Sequence, residues 1–185
     1  MSINLQKGQN APVGGVQMFT VGMGWDVNAT DSGVDFDLDA SAFMLGANGK
    51  VLSNEHFVFY NNLQSPEGCI VHTGDNLTGE GDGDDESLLV DLSKLPAGCE
   101  SIVFVVTIHE ASERGQNFGQ VRNAFIRIFD TNTSEEIMKF DLGEDFSIET
   151  AVEFGMLYQK DGTWKFRAVG AGYSEGLQKF VNKFV

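Results

Sequence analysis

Cysteine and cationic residues are scarce in this sequence, and each scarcity excludes a class of protein. The 185 residues include only two cysteines, Cys69 and Cys99. The chain therefore has no disulfide framework of the kind that staples small secreted domains. Twelve Lys and Arg stand against 27 Asp and Glu, which gives a formal net charge of −15 at pH 7. Because like charges repel, we expect no nucleic-acid partner and no binding to an anionic membrane surface.

Long apolar runs are also missing. Residues 1–10 lack the apolar stretch of a signal peptide, and the longest apolar run, 102–108, is far shorter than the roughly 18 residues of a membrane span. We therefore expect a cytoplasmic protein without direct membrane insertion. No Pro- or Ser-rich linker and no break in composition divides the chain, so residues 1–185 are predicted to form a single domain.

The sequence instead contains a hydrophobic repeat of two residues, which is typical of β-strands. Apolar side chains alternate over 19–25 and over 36–44, and the run 102–108 is apolar on both faces, as in a central strand. Residues 124–129 are similar, with Arg127 as the exception. Many short strands separated by glycine-rich turns predict an all-β fold, a two-sheet β-sandwich.

A β-hairpin is predicted near the C-terminus. Residues 152–158 alternate, an Asp161-Gly162 turn follows, and 164–168 alternate again. Gly155 and Gly170 interrupt these strands and are candidate bulges.

The last residues follow a helical repeat. Leu177, Phe180, Val181 and Phe184 have the spacing i, i+3, i+4, i+7, which predicts a short C-terminal amphipathic helix beginning near Ser174. Such a helix is marginal alone and needs a surface to cover its apolar stripe. Two hypotheses stay open: the helix docks on its own sandwich, or it binds a partner protein.

A first group of acids has an informative spacing. Asp35, Asp37 and Asp39 alternate with apolar residues, so an extended strand would present all three carboxylates on one face. Two unit charges about 6 Å apart repel by roughly 0.7 kcal/mol in water and by about 3 kcal/mol at an effective dielectric constant of 20. A divalent cation would turn this repulsion into attraction.

A second group of acids lies in the glycine-rich stretch 73–86. Its candidate metal ligands are Asp75, Asn76, Glu80, Asp82, Asp84, Asp85 and Glu86. Hard oxygen donors on a flexible backbone favour Ca²⁺ over Zn²⁺, and over Mg²⁺, which demands a tighter octahedron. The stretch is not an EF-hand, because Leu77, Gly79 and Glu80 occupy positions where that motif has Asp or Asn, Asp or Asn, and Gly. The alternative is a solvated acidic loop without metal.

Four motifs also connect the chain to a known family. They are Gly24-Trp25-Asp26, Asp35-Phe-Asp-Leu-Asp-Ala-Ser-Ala-Phe43, Phe57-Val-Phe-Tyr-Asn-Asn62 and the stretch 73–86 with its Gly-Asp-Asn-Leu-Thr-Gly sequence. In this order, from about Phe19 to Tyr173, they resemble the TerD family of tellurite-resistance and general stress proteins. The resemblance implies a β-sandwich with bound Ca²⁺, no catalytic activity, a cytoplasmic location and membrane-associated Ter partners.

The same resemblance assigns ligands residue by residue. The family's Asp-Leu-Asp falls on Asp37 and Asp39, its Gly-Asp-Asn on Asp75 and Asn76, and its acidic glycine-rich stretch on residues 80–86. Asp35 precedes the position at which many relatives begin the motif.

Other functions remain as alternatives. A metal-dependent hydrolase could use the same acids, with one ion activating water, and a plain interaction sandwich could carry them only for solubility. Cys69 and His72 have the spacing of half a zinc site, but the other half is missing. Reduction of tellurite would require an activated thiol, and neither cysteine has a Lys, Arg or His directly beside it. We therefore predict a non-enzymatic calcium-binding sensor or scaffold.

Overall fold

The structure, a computed structural model, describes residues 2–26, 34–74, 84–142 and 146–185. Within these ranges the chain forms short and long β-strands and two α-helices. The strands are β1 (Ile3–Asn4), β2 (Asn10–Pro12), β3 (Met18–Gly24), β4 (Leu38–Leu45), β5 (Phe57–Val58), β6 (Ile70–His72), β7 (Glu86–Asp91), β8 (Ser101–Ile108), β9 (Phe125–Asp130), β10 (Glu136–Asp141), β11 (Ala151–Lys160) and β12 (Thr163–Tyr173). The helices are α1 (Ala111–Arg114) and α2 (Leu177–Phe184).

The strands form two six-stranded sheets. Sheet A has the order β1–β10–β9–β3–β7–β6, and sheet B has the order β2–β12–β11–β8–β4–β5. Over the described part of the chain, neighbouring strands pair antiparallel except β1 and β10, which are parallel. The predicted all-β, two-sheet sandwich with a short C-terminal helix is confirmed.

The main core lies between the sheets and follows the predicted alternation. Phe19, Val21 and Met23 of β3 are buried there together with Phe104 and Val106 of β8. Burying this apolar surface is the dominant stabilising contribution to such a fold.

Helix α2 packs on the outer face of sheet B, where it covers a second apolar cluster. Phe180 and Phe184 are buried against Phe43 of β4, with ring centroids 6.5 and 5.1 Å apart. Val103 and Val105 belong to the same cluster, which explains why β8 is apolar on both faces. The helix therefore docks on its own sandwich, and it begins at Leu177 after Gly176, three residues later than the sequence predicts.

One part of the predicted alternation is wrong: over 152–158 it would place Val152, Phe154, Met156 and Tyr158 on one face. The pairing of β11 with both neighbours shifts between Glu153 and Gly155, which marks the predicted bulge at Gly155. A side chain at this position would collide with the ring of Phe166, so glycine is required. The extra residue reverses the faces: Leu157 enters the main core, whereas Met156 packs on the outer cluster beside α2.

Candidate metal centre

The candidate site lies where one end of sheet A meets one end of sheet B. Met23 of β3 pairs with Glu86 of β7, and Leu38 of β4 pairs with Ile108 of β8. The Ala40 N–H of β4 donates a hydrogen bond of 2.6 Å to Glu86 Oε2, which joins β4 to β7 across this junction. Strand β5 pairs with β4 only further along, so this N–H is left for a side chain.

Two of the three acids predicted in β4 and in the residues just before it are buried at this junction. Asp37 and Asp39 are 6% and 5% exposed, whereas Asp35 is exposed. Arg114 Nη1 lies 3.7 Å from Asp37 Oδ2, and His109 Nδ1 lies 3.3 Å from Asp39 Oδ2. The end of β8 and the helix after it therefore place the Arg114 guanidinium and the His109 imidazole beside the acids. Both residues are distant from the acids in the sequence.

Hydrogen bonds from the same region also hold the backbone of residues 34–37. The His109 N–H donates to the Asp37 carbonyl (2.8 Å), and Gln116 Nε2 donates to the carbonyls of Val34 (2.7 Å) and Asp35 (3.3 Å). Gln116 is buried, and its Oε1 makes no hydrogen bond in the part of the chain that the structure describes. Sequence reasoning did not single out Gln116, because its role depends on contacts more than 80 residues away.

Among the described acids of the site, Glu86 is the most deeply buried, at 2% exposure. The pKa of Glu86 is raised to about 7, chiefly by burial and to a smaller extent by the charge of Asp39, while His72 and the Ala40 N–H oppose this rise. His72 Nε2 lies 3.6 Å from Glu86 Oε2, and the Gly74 N–H donates to His72 Nδ1, so a neutral His72 carries its proton toward Glu86. Within the described residues, Glu86 Oε1 has no hydrogen-bond partner.

Asp84 and Asp85 make contacts that differ from those of Glu86. Arg127 binds Asp84 through two hydrogen bonds, Nε to Oδ1 (2.8 Å) and Nη2 to Oδ2 (3.0 Å), on the outer face of sheet A. The Asp84 carboxylate covers Gly22, where any Cβ would collide with it. Asp85 Oδ2 instead accepts the Trp25 N–H (2.9 Å), and burial raises the pKa of Asp85. The three consecutive acids Asp84, Asp85 and Glu86 thus contact three different partners.

The remaining predicted ligands, Asp75, Asn76, Glu80 and Asp82, lie outside the described residues. The segment that carries them joins Gly74 to Asp84, and both of these residues are at the same end of the sandwich as Glu86. Across the four described ranges, no three His, Cys, Asp or Glu side chains are arranged to hold a metal ion. A complete site therefore requires ligands beyond the described acids.

The described side chains nevertheless fit a hard cation. Asp37, Asp39 and Glu86 provide buried carboxylate oxygens, and Glu86 Oε1 is a buried acceptor without a hydrogen-bond donor in the described part of the structure. Buried acceptors without donors are costly, and a bound cation would compensate for them. Carboxylate donors of this kind suit Ca²⁺.

No helix in the described ranges is both long enough and apolar enough to cross a membrane.

The comparisons with known proteins agree with this architecture. A family model described as the TerD domain matches residues 1–184. Tellurium resistance protein TerD of Alcaligenes sp is 54% identical, covering 96% of this chain and 94% of the relative. General stress protein 16U of Bacillus subtilis (strain 168) is 51% identical, covering 100% of this chain and 97% of the relative.

A solved structure shares the fold. The crystal structure of a homologue of telluride resistance protein (TerD) from Streptomyces coelicolor A3(2) matches with a TM-score of 0.74 and 21% identity, over 90% of this chain and 95% of that one. The fold and the matched motifs define a β-sandwich class of stress and resistance proteins. This chain belongs to the TerD family.

Proposed function

We propose that this protein is a non-enzymatic, calcium-binding member of the TerD family, acting in the cytoplasm as a sensor or scaffold in the response to tellurite and general stress. Its partners would be other Ter-type stress proteins at the membrane. The names of the matched relatives describe stress and tellurium-resistance proteins and state no reaction.

One observation carries the proposal: three carboxylates are buried at the junction of the two sheets. Asp37, Asp39 and Glu86 are each at most 6% exposed. Arg114, His109 and His72 lie beside them, but His109 and His72 bear positive charge only when protonated. Burying ionised carboxylates is costly unless a cation accompanies them. A divalent cation would add positive charge to this group of carboxylates.

The residues that would hold Ca²⁺ come from both sides of the junction. Asp37 and Asp39 would bind it from β4 and its approach, and Glu86 from β7. Asp75, Asn76, Glu80 and Asp82 would complete the set, since the described acids alone form no metal site. Asp84 is engaged by Arg127, so we expect it to anchor the end of the acidic stretch.

Direct thiol chemistry on tellurite has little support. Cys69 is buried, and burial raises its pKa. Burial also raises the pKa of the Cys99 thiol to about 12. A thiol must ionise to act as a nucleophile, so both groups are poor ones at neutral pH. This favours a sensor or scaffold over a reductase.

The proposal is tested by thermal unfolding of chelator-stripped protein, titrated with Ca²⁺ and with Mg²⁺ at matched ionic strength. Ligand at a hundredfold excess over its Kd stabilises a folded protein by about 2.7 kcal/mol. We expect a saturable, Ca²⁺-selective rise in Tm that Asp37→Asn or Asp75→Asn weakens. Asp161→Asn, in the hairpin turn at the opposite end of the sandwich, is the charge-matched control.

Two results would contradict the proposal. Equal stabilisation by both cations would indicate charge screening alone, and no response would leave the acids as solubilising groups. Turnover of a phosphoester by the cation-loaded protein would instead favour the hydrolase alternative.

A further inference from the structure

Arg114 lies between two carboxylates at the edge of the candidate centre. Its Nη2 is 3.2 Å from Glu110 Oε2, and its Nη1 is 3.7 Å from Asp37 Oδ2. The Arg114 side chain is 23% exposed, and the Asp37 side chain is 9% exposed. One guanidinium is thus shared between a surface acid and a buried acid that is a proposed cation ligand.

The two contacts of Arg114 differ in kind. The 3.2 Å contact with Glu110 is a hydrogen bond, whereas 3.7 Å exceeds hydrogen-bond distance, so Arg114 and Asp37 interact through charge alone. Such a contact can be released without breaking a hydrogen bond of Arg114, because its hydrogen bond is with Glu110.

The position of Glu110 is fixed by the turn between β8 and α1. Its φ of 51° lies in the left-handed region, which non-glycine residues seldom adopt. This conformation reverses the chain after His109 and directs the Glu110 carboxylate to Arg114 and to His109 Nε2, 3.7 Å away. The turn therefore provides Arg114 with an acceptor outside the buried site.

We propose that Arg114 is a built-in counter-ion that competes with the divalent cation for Asp37 and thereby sets the affinity of the site. This inference rests on the proposed function. Without a cation, the guanidinium offsets part of the charge of the buried carboxylates. With a cation on Asp37, two positive groups would share one carboxylate, and Arg114 would withdraw to Glu110 alone. Cation binding would then be coupled to the position of α1.

The proposal predicts effects of opposite sign on stability and on affinity. Arg114→Gln should lower the free energy of unfolding of the chelator-stripped protein, because Asp37 loses its nearby positive charge. The same substitution should lower the Kd for Ca²⁺ by at least about fivefold, which is the lower end of measured couplings between two sites. Arg114→Lys keeps the charge and should remain close to wild type in both measurements. A residue with a merely structural role would weaken stability and affinity together.

The matched control is Arg167→Gln. It removes one positive charge from an exposed position on β12, three strands away from β4 in sheet B. Calorimetric titration with Ca²⁺ gives Kd for all four proteins, and urea unfolding in chelator gives their stability.

Each outcome bears on the counter-ion role of Arg114 or on the proposed calcium binding. A lower Kd for Arg114→Gln with Arg167→Gln unchanged supports the counter-ion role. An unchanged or higher Kd for Arg114→Gln, with wild type binding Ca²⁺, overturns this inference and leaves the proposed function intact. An equal decrease in Kd for both variants indicates a general effect of net charge and also overturns it. Absence of Ca²⁺ binding by wild type and Arg114→Gln alike contradicts the proposed function and, with it, this inference.

Discussion

Replacing Glu86 with glutamine should stabilise the cation-free protein at neutral and alkaline pH. Glu86 is 2% exposed, and its Oε2 accepts the Ala40 N–H while His72 lies beside it. Glutamine has the same shape, and its amide oxygen can accept that N–H bond. The substitution therefore removes the buried negative charge but keeps the link between the two sheets.

The magnitude follows from the pKa of Glu86, which burial raises to about 7 from 4.5. The folded protein thus binds this proton more tightly than the unfolded chain does. The resulting stabilisation is complete below pH 4.5 and is lost as the pH rises through about 7. At 1.36 kcal/mol per pKa unit, the loss is of order 3 kcal/mol by pH 8. Glu86→Gln should recover most of it at pH 8 and little at pH 5.

The assay is urea unfolding in the presence of chelator at pH 5 and pH 8. Wild type, Glu86→Gln and the exposed control Glu100→Gln are compared. We expect the gain of Glu86→Gln over wild type to appear at pH 8 and to be small at pH 5, with the control unchanged. If Glu86→Gln is less stable than wild type at pH 8, the reasoning is refuted.

Three further predictions concern other parts of the fold. Gly22→Ala should destabilise the protein and disrupt the contact of Asp84 with Arg127, because the new Cβ collides with the Asp84 carboxylate. The free energies of unfolding of Gly22→Ala and of the double variant Gly22→Ala/Asp84→Ala check this. The double variant should recover part of the lost stability. Phe180→Ala should cost about 3–5 kcal/mol, since a fully buried ring is removed, and hydrogen exchange should show loss of protection over α2; unchanged protection would contradict the docking of the helix. Cys69 and Cys99 should react with a thiol reagent at pH 7 much faster after denaturation than before, because burial raises both pKa values; equal rates would refute the argument that these thiols are inert.

The fold could be predicted where burial leaves a periodic pattern. The alternation over 19–25 identified β3 as a strand, the doubly apolar run 102–108 identified β8 as a central strand, and the helical spacing identified α2. The short edge strands β1, β2 and β6 carry too few residues for a repeat, so they were not predicted. Strand β10, which lies between β1 and β9, was also not predicted. The bulge at Gly155 was anticipated, but not the reversal of faces that follows it.

The candidate site was only partly predictable. The acids stand out because two stretches of the sequence concentrate them, and local spacing is enough to find them. Their positive and imidazole neighbours come from distant strands: His109 and Asp39 are 70 residues apart, and Arg127 and Asp84 are 43 apart. The sequence gives one indication of the role of Arg127, because it is a charged residue in an otherwise apolar strand. It gives no indication for Arg114 and Gln116, because only folding brings them close to the acids.

The proposed function requires that this protein bind Ca²⁺ between its acidic β4 region and the stretch that ends at Glu86. Direct calorimetric titration of the chelator-stripped protein with Ca²⁺, in the presence of excess Mg²⁺ and at physiological ionic strength, tests it most directly. We expect saturable binding that Asp37→Asn and Glu86→Gln weaken and that Asp161→Asn leaves unchanged. Absence of saturable heat, or its complete suppression by Mg²⁺, would contradict the proposed calcium site.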